Sequence, residues 1–269
     1  MIFSDPTSLS EAVKALLARD IMPTDLDSDG IRQLDAALRN QSFFSATTTN
    51  EYLLQLYRDR IAGILHPVPA DGQATTDFSP AYVRQAVKDL LAEIGFQPEP
   101  DQRGTIQDLS SDARINLVIQ TNVDLARGQG LWIANQNPAI LDEWPAQELF
   151  RAESREQPRK WLERWREAGA PTGDPIGTGW TITPDERLIA LKNHDIWNWI
   201  GSSDLFDDAL DVIWPPFAFN SGMWVRDVDR AETETYGLLD TGDAAPAPMD
   251  IITALKAFAD KISKLEESA

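Results

Sequence analysis

Trp214-Pro215-Pro216-Phe217-Ala218-Phe219-Asn220-Ser221-Gly222-Met223-Trp224 closes a window, begun at Trp132, that holds all nine tryptophans of the chain. The 131 residues before the window and the 45 after it have none. Tryptophan carries a large apolar surface, and its indole N–H seeks a partner when buried. Crowding nine into 93 residues marks a compact module with its own aromatic core. Within the quoted stretch the two prolines fix φ and cannot donate to a sheet ladder. Trp214–Phe219 is therefore expected as an extended edge or a packed loop. Asn220-Ser221-Gly222 then reads as a rigid turn, in which asparagine bonds to backbone and glycine admits φ > 0.

Outward from that stretch, the module is expected to mix helices with a short antiparallel sheet. Pro158 opens a short helix with Trp161, Leu162, Trp165 and Ala168 inward and Gly169 as its C-cap. Residues 179–183 and 187–191 alternate as a hairpin around Pro184-Asp185-Glu186. Asp229 caps a short helix that stops at Gly237. A linker, residues 240–248, leads to a last helix from about Met249 to Glu266. Ile251, Ile252, Leu255, Phe258 and Ile262 give it an apolar stripe that suits either its own domain or a partner's groove.

Upstream the pattern is helical. Leu53, Leu54, Tyr57, Ile61, Ile64 and Leu65 stripe a helix capped by Thr49 or Asn50 and ended at His66-Pro67. Ser79-Pro80 starts the clearest helix, with Val83, Val87, Leu90, Leu91 and Ile94 apolar and Gly95 as stop. From Ser111 a long helix runs to about Asn135, burying Ile115, Val118, Ile119, Val123 and Ala126. Gly128 and Gly130 on that helix call for a kink or a close helix contact. Earlier, helices are expected at 8–19, with Val13, Leu16 and Leu17 on one side, and at 31–39, capped by Asp29. The fold class is α+β, a helical N-terminal half followed by a small Trp-rich mixed module. The expected divisions are 1–110, 111–240 and 241–269.

Composition narrows the chemistry. The net charge is −19, from 43 acidic and 24 basic residues. That field repels phosphate backbones, so strong nucleic-acid binding is not expected, while a basic partner surface is allowed. With no cysteine, disulfides, thiolate zinc sites and cysteine nucleophiles are excluded. Met1–Asp5 lacks a basic n-region before an apolar run, so no signal peptide is expected. No apolar run reaches the roughly 18 residues of a membrane span.

Motif by motif, catalysis finds little support. Asp25-Leu26-Asp27-Ser28-Asp29-Gly30 opens like a calcium loop, but Ala36 stands where a bidentate glutamate is needed. Asp204, Asp207, Asp208 and Asp211 recur at i, i+3, i+4 and i+7. On a helix they would line up as a solvated acidic face, a hard-cation site or the start of a DNA-mimicking row. His66 and His194 each stand alone in sequence, and nothing nominates a base partner for either. Residues 151–167 carry six basic and four acidic side chains, a local +2. With Trp161 and Trp165 interleaved, that segment reads as an amphipathic helix with external ion pairs, or as a grip for an acidic partner or a nucleic-acid strand.

The order of these pieces resembles the head morphogenesis proteins of tailed phages and prophages, the minor capsid family typified by the Mu F-like protein. The resemblance spans roughly residues 40–240. Phe43-Phe44-Ser45-Ala46 is similar to the family's lead-in, and Ile119-Gln120-Thr121-Asn122 to its Arg-Thr-Asn-type helical segment. Ser154-Arg155-Glu156-Gln157-Pro158 resembles its arginine-proline stretch. Asp195-Ile196-Trp197, Pro215-Pro216-Phe217 and Asn220-Ser221-Gly222-Met223 resemble its closing block. Trp161 lies near a position where histidine is common, and Ser221 and Met223 replace two cysteines, so no metal and no cofactor are expected. The resemblance implies a minor head protein that associates with the portal and other capsid components during assembly, packaging or ejection. It would be found in the virion head, after the host cytoplasm, and could be oligomeric. It implies no reaction. Thr121, Asn122, Arg155, Pro158, Trp197, Pro215, Pro216, Phe217, Asn220, Ser221 and Gly222 are the motif positions it marks as structural or partner-facing. The alternatives are an enzyme, a nuclease or transferase using Arg155 and a carboxylate such as Glu153, or an acidic DNA mimic.

Overall fold

Capping residues and apolar spacing set the helices in the first half of the computed structural model, which describes residues 10–65 and 79–250. Helix α1 spans Ser10–Leu17 and buries Ala12, Ala15 and Leu16. Leu17, expected inward, is 46% exposed because the buried stripe follows the two alanines. The expected helix over 31–39 is two short ones. Asp27 caps α2, Ser28–Arg32, by accepting from Gly30 N–H, and Asp35 caps α3, Ala36–Gln41, by accepting from Leu38 N–H. Each aspartate side chain satisfies a donor left free at a helix start. The calcium-loop resemblance ends there, since Asp27 is committed to its helix.

Between these helices Asp20–Ile21 (β1) and Ser42–Phe43 (β2) form a two-residue parallel pair that periodicity could not signal. Asn50 caps α4, Glu51–Leu65, through Leu53 N–H. Ser79 caps α5, Pro80–Glu93, with Pro80 in the first turn, and Gly95 takes φ +71° just beyond. Residues 97–111 are turns gathered by buried Asp108, which accepts from Gly104 N–H and from Ser110 N–H and Oγ–H. Burial pushes the Asp108 carboxyl up, but those hydrogen bonds and the Arg103 charge outweigh it and hold it below its ordinary value. Helix α6, Asp112–Asn135, then closes the core with Ile115, Val118, Ile119, Val123 and Ala126 against α1, α4 and α5. Gly130 makes a close contact there. A Cβ on it would lie 2.6 Å from the Ala12 backbone nitrogen.

The chain divides into two compact units, residues 1–130 and 131–269. The joint falls inside α6, not in the polar connector before it, because the first four turns of α6 supply core to the first unit. No proline or loop marks such a boundary in sequence.

The second unit is built on a four-stranded antiparallel sheet. Asn137 and Pro138 start α7, Pro138–Glu143, which leads into β3, Ala146–Arg151. After α8, Trp161–Gly169, come β4, Trp180–Ile182, and β5, Leu188–Leu191, the expected hairpin. Helix α9 is Ile196–Ile200, β6 is Met223–Val228, and α10 is Arg230–Thr235, capped by Asp229. The strand order is β4-β5-β3-β6. Register pairs Leu149 with Leu188 and Val225, so one sheet face presents these residues to the aromatic core. The opposite face places Glu148 between Ile189 and Arg226 and buries Ala146, Ile189 and Val228 with Leu238. The last helix expected from the sequence lies, from residue 251 on, outside the described residues.

Candidate functional site

Three consecutive backbone carbonyls in the turn after the double proline are held by three arginines, Arg151 at the end of β3 and Arg155 and Arg159 on the strap that follows it. Arg159 Nη2 donates to Phe219 O at 2.6 Å and its Nη1 to Asn220 O at 3.4 Å. Arg155 Nε donates to Asn220 O at 3.0 Å, and Arg151 Nη1 to Ser221 O at 3.5 Å. Gly222 O accepts from Ala152 N–H and Glu153 N–H, which carries the β3–β6 ladder into the strap. Inside the turn, Ser221 Oγ donates to Pro216 O at 2.7 Å and accepts from Met223 N–H at 3.1 Å.

The turn needs holding because its backbone is unusual. Phe217 sits at φ +62°, Asn220 at +48° and Gly222 at +68°. A bulky residue at positive φ is an outlier that persists only when its surroundings over-determine it. Phe217 is fully buried and stacks on Trp197 with centroids 5.8 Å apart, and Trp197 meets the edge of Trp165 at 5.1 Å. Gly222 has no substitute, since a Cβ there would lie 2.5 Å from Glu153 O.

Arg164 ties the helix to the same block. It was expected on the outer face of α8 among ion pairs, yet it is 7% exposed. Its guanidinium lies over the rings of Trp161, at 4.8 Å, and Phe206, at 4.0 Å, and donates to Ile200 O and to Asp208 at 2.6 Å. Burial lowers its pKa more than the Asp208 pairing raises it. Asp208 also pairs with Arg159 Nε, so one carboxylate links the buried arginine to the latch.

The motif positions thus divide. Arg155, Trp197, Pro215, Pro216, Phe217, Asn220, Ser221 and Gly222 come together in one block. Pro158 is exposed on the strap. Thr121 and Asn122 lie on α6 in the first unit, where buried Asn122 donates to Val118 O within its own helix. Sequence reasoning passed over Arg151, Arg159, Asp208 and Phe219. The ties of Arg159 to Asp208 and Phe219 O, of Arg151 to Ser221 O and of Arg164 to Asp208 join residues 44 or more positions apart. In sequence the arginines showed only as a dense run in 151–167 and Asp208 only as one of the acidic run.

The acidic run is corrected as well. Residues 201–217 form no helix, so Asp204, Asp207, Asp208 and Asp211 make no single face. Asp211, 4% exposed at φ +54°, accepts from Ser203 N–H and Oγ–H, while Asp208 serves the latch. His194 Nδ1 accepts from Ile196 N–H at 3.1 Å and its Nε2 lies 3.3 Å from Asp174, a structural pairing at the start of α9. His66 lies outside the described residues. Gly169 is no C-cap. It is the last residue of α8 in right-handed geometry, and the left-handed turn comes at Gly173, φ +76°.

Elsewhere in this unit, buried Glu148 is gripped by Arg187 and Arg226, and Arg187 also binds Glu232 and Tyr236. Hydrogen bonds to Glu232 and Glu148 raise the Arg187 pKa further. Arg187, shared between Glu148 and Glu232, fastens α10 to the sheet. Lys192, almost wholly buried, pairs with Asp227 at 2.7 Å, and burial lowers its pKa.

In front of the latched turn lies an open cleft of about 510 Å³ lined by Ser154, Arg155, Glu156, Gln157, Arg159 and Asn220. Arg155 and Glu153, the pair considered for catalysis, bind each other at 2.8 Å. Among the described residues no group of three or more His, Cys, Asp or Glu side chains could hold a metal ion, and no helix is long and apolar enough to cross a membrane. The site offers fixed hydrogen-bond donors on a rigid base. No family model matches the chain, and comparison with curated proteins and with solved structures gives no match.

Proposed function

We propose that this chain is a non-catalytic assembly protein, a minor head component of a tailed phage or prophage whose Trp-rich unit is recognised as a stiff block by the portal and inner capsid. The observation that carries the reading is the use made of the motif residues. Arg155, Trp197, Pro215, Pro216, Phe217, Asn220, Ser221 and Gly222 are all engaged in holding one strained turn on an aromatic core. A sequence pattern that fixes shape, with its arginines paired to backbone carbonyls, suits a surface that is read by its contour. The order of the motifs supplies the phage-head part of the reading.

The test is physical association. The chain should co-sediment with purified procapsids and with portal rings, in few copies per particle, and antibody to it should label heads. A chain recovered only in the particle-free fraction while the head genes beside its own assemble normally would overturn the proposal.

A further inference from the structure

The cleft over the latched turn carries more donors than the latch consumes. A guanidinium has five N–H donors in a planar fork. In Arg155 each nitrogen makes one contact, to Asn220 O, Ser154 O and Glu153. In Arg159 each nitrogen likewise makes one, to Asp208, Asn220 O and Phe219 O. One N–H therefore remains on every terminal nitrogen of the two forks. The side chains of Ser154 and Gln157 add further donors on the wall, and Glu156 is the one carboxylate of the lining. Phe219, 41% exposed, sits in the turn beside Asn220 and offers an apolar edge.

We infer that this cleft is a docking site for a carboxylate-bearing peptide segment of a protein partner, gripped by the remaining N–H groups of Arg155 and Arg159. The inference rests on the assembly reading above and names the partner's chemistry. Arginine forks match carboxylates bidentately, and charge-assisted hydrogen bonds of this kind are the strong ones. The cleft, about 510 Å³ and open to solvent, has room for a few side chains of a partner segment. A polyphosphate strand fits less well. Arg155 and Arg159 are each already paired with one carboxylate, Glu153 and Asp208, so what the cleft offers is their remaining hydrogen-bond donors. A long polyanion meets the repulsion of a chain of −19 beyond the cleft, whereas a short acidic segment does not. The base is preorganised, because the strained turn and its arginines are fixed before a ligand arrives, which lowers the ordering cost of binding.

The probe is a fluorescein-labelled octaglutamate, read by fluorescence anisotropy with the full chain. It should bind, and binding should weaken as salt rises. The double variant Ser154→Asp/Gln157→Glu places like charge on the cleft wall without touching a latch contact. It should lose about tenfold or more in affinity with an unchanged Tm. An oligothymidylate of the same length should bind more weakly than octaglutamate. Absence of octaglutamate binding, equal binding by the double variant, or tighter binding of oligothymidylate would each overturn the assignment. If octaglutamate fails while the chain still co-sediments with heads, the cleft falls and the assembly role stands. If the cleft binds octaglutamate and the chain is absent from heads, the reverse holds.

Discussion

Replacing Gly169 with alanine probes a close approach in the aromatic core. A Cβ on Gly169 would lie 2.2 Å from Cη2 and 2.4 Å from Cζ2 of Trp180. Carbon–carbon contact is comfortable at roughly 3.5–4 Å, so the methyl arrives more than an ångström too close. Trp180 is held, since its indole N–H donates to Asp174 O at 3.0 Å and its ring meets the edge of Trp165 at 6.4 Å. Overpacking of this sort costs about 1–3 kcal/mol, and a rigid ring puts the cost near the top, about 3 kcal/mol. Alanine returns at most about 1 kcal/mol through helix propensity. The net is a loss of about 2 kcal/mol, or roughly 6–10 °C in Tm for a unit of this size. Scanning calorimetry measures it, and Trp180→Leu in the same background should recover part of the loss as a positive coupling in a double-mutant cycle. A Gly169→Ala variant as stable as the parent, or a cycle with no coupling, would refute the packing argument.

Ser221→Ala strands Met223 N–H and Pro216 O in a buried turn and should cost about 1–3 kcal/mol by urea denaturation; a neutral change would show that the hydroxyl is dispensable. Arg164→Met removes the cation that holds Ile200 O and Asp208 and should cost about 3 kcal/mol, with Arg164→Lys failing to restore stability for want of a planar fork. In the first unit Arg19 is 6% exposed, its Nη2 donates to Gln129 Oε1, and burial lowers its pKa to about 10. Arg19→Met should therefore be neutral or stabilising by about 1 kcal/mol at pH 7. The sign with pH follows from that lowered value. The cost of the buried charge is constant below about pH 10 and is relieved as pH rises above it, so the gap between parent and variant should narrow there. A variant destabilised by more than about 2 kcal/mol would show that the arginine is needed for packing.

Helix existence was largely legible, because it depends on local signals. Asn50, Ser79 and Asp229 cap where side-chain chemistry places caps, and the β4–β5 hairpin follows from alternation around a turn. The other two strands of the four-stranded sheet were not legible. Met223–Val228 begins inside the turn motif, and Ala146–Arg151 is a buried central strand with only weak alternation. The motif block was visible as a rigid turn, but not what holds it. Arg159 finds Phe219 O across 60 residues, and Arg164 finds Asp208 across 44. Nothing local distinguishes a latch arginine from a solvated one, and only the fold that joins β3 to β6 brings the strap under the turn. The acidic run misled for the same reason. Its helical spacing is real, yet the segment runs as turns and Asp211 sits at positive φ, so no helix lines the four carboxylates up.

The segregation of indoles between the two units makes the chain its own reporter. Every tryptophan lies beyond residue 131, and Tyr52, Tyr57 and Tyr82 lie in the other unit. Excited at the red edge, where tyrosine does not absorb, the emission follows one unit alone while the other stays dark. A thiol introduced in the dark unit would be the sole cysteine of the chain, open to labelling without background. Each half can therefore be watched unfolding by a separate colour, and whether they melt together is directly observable.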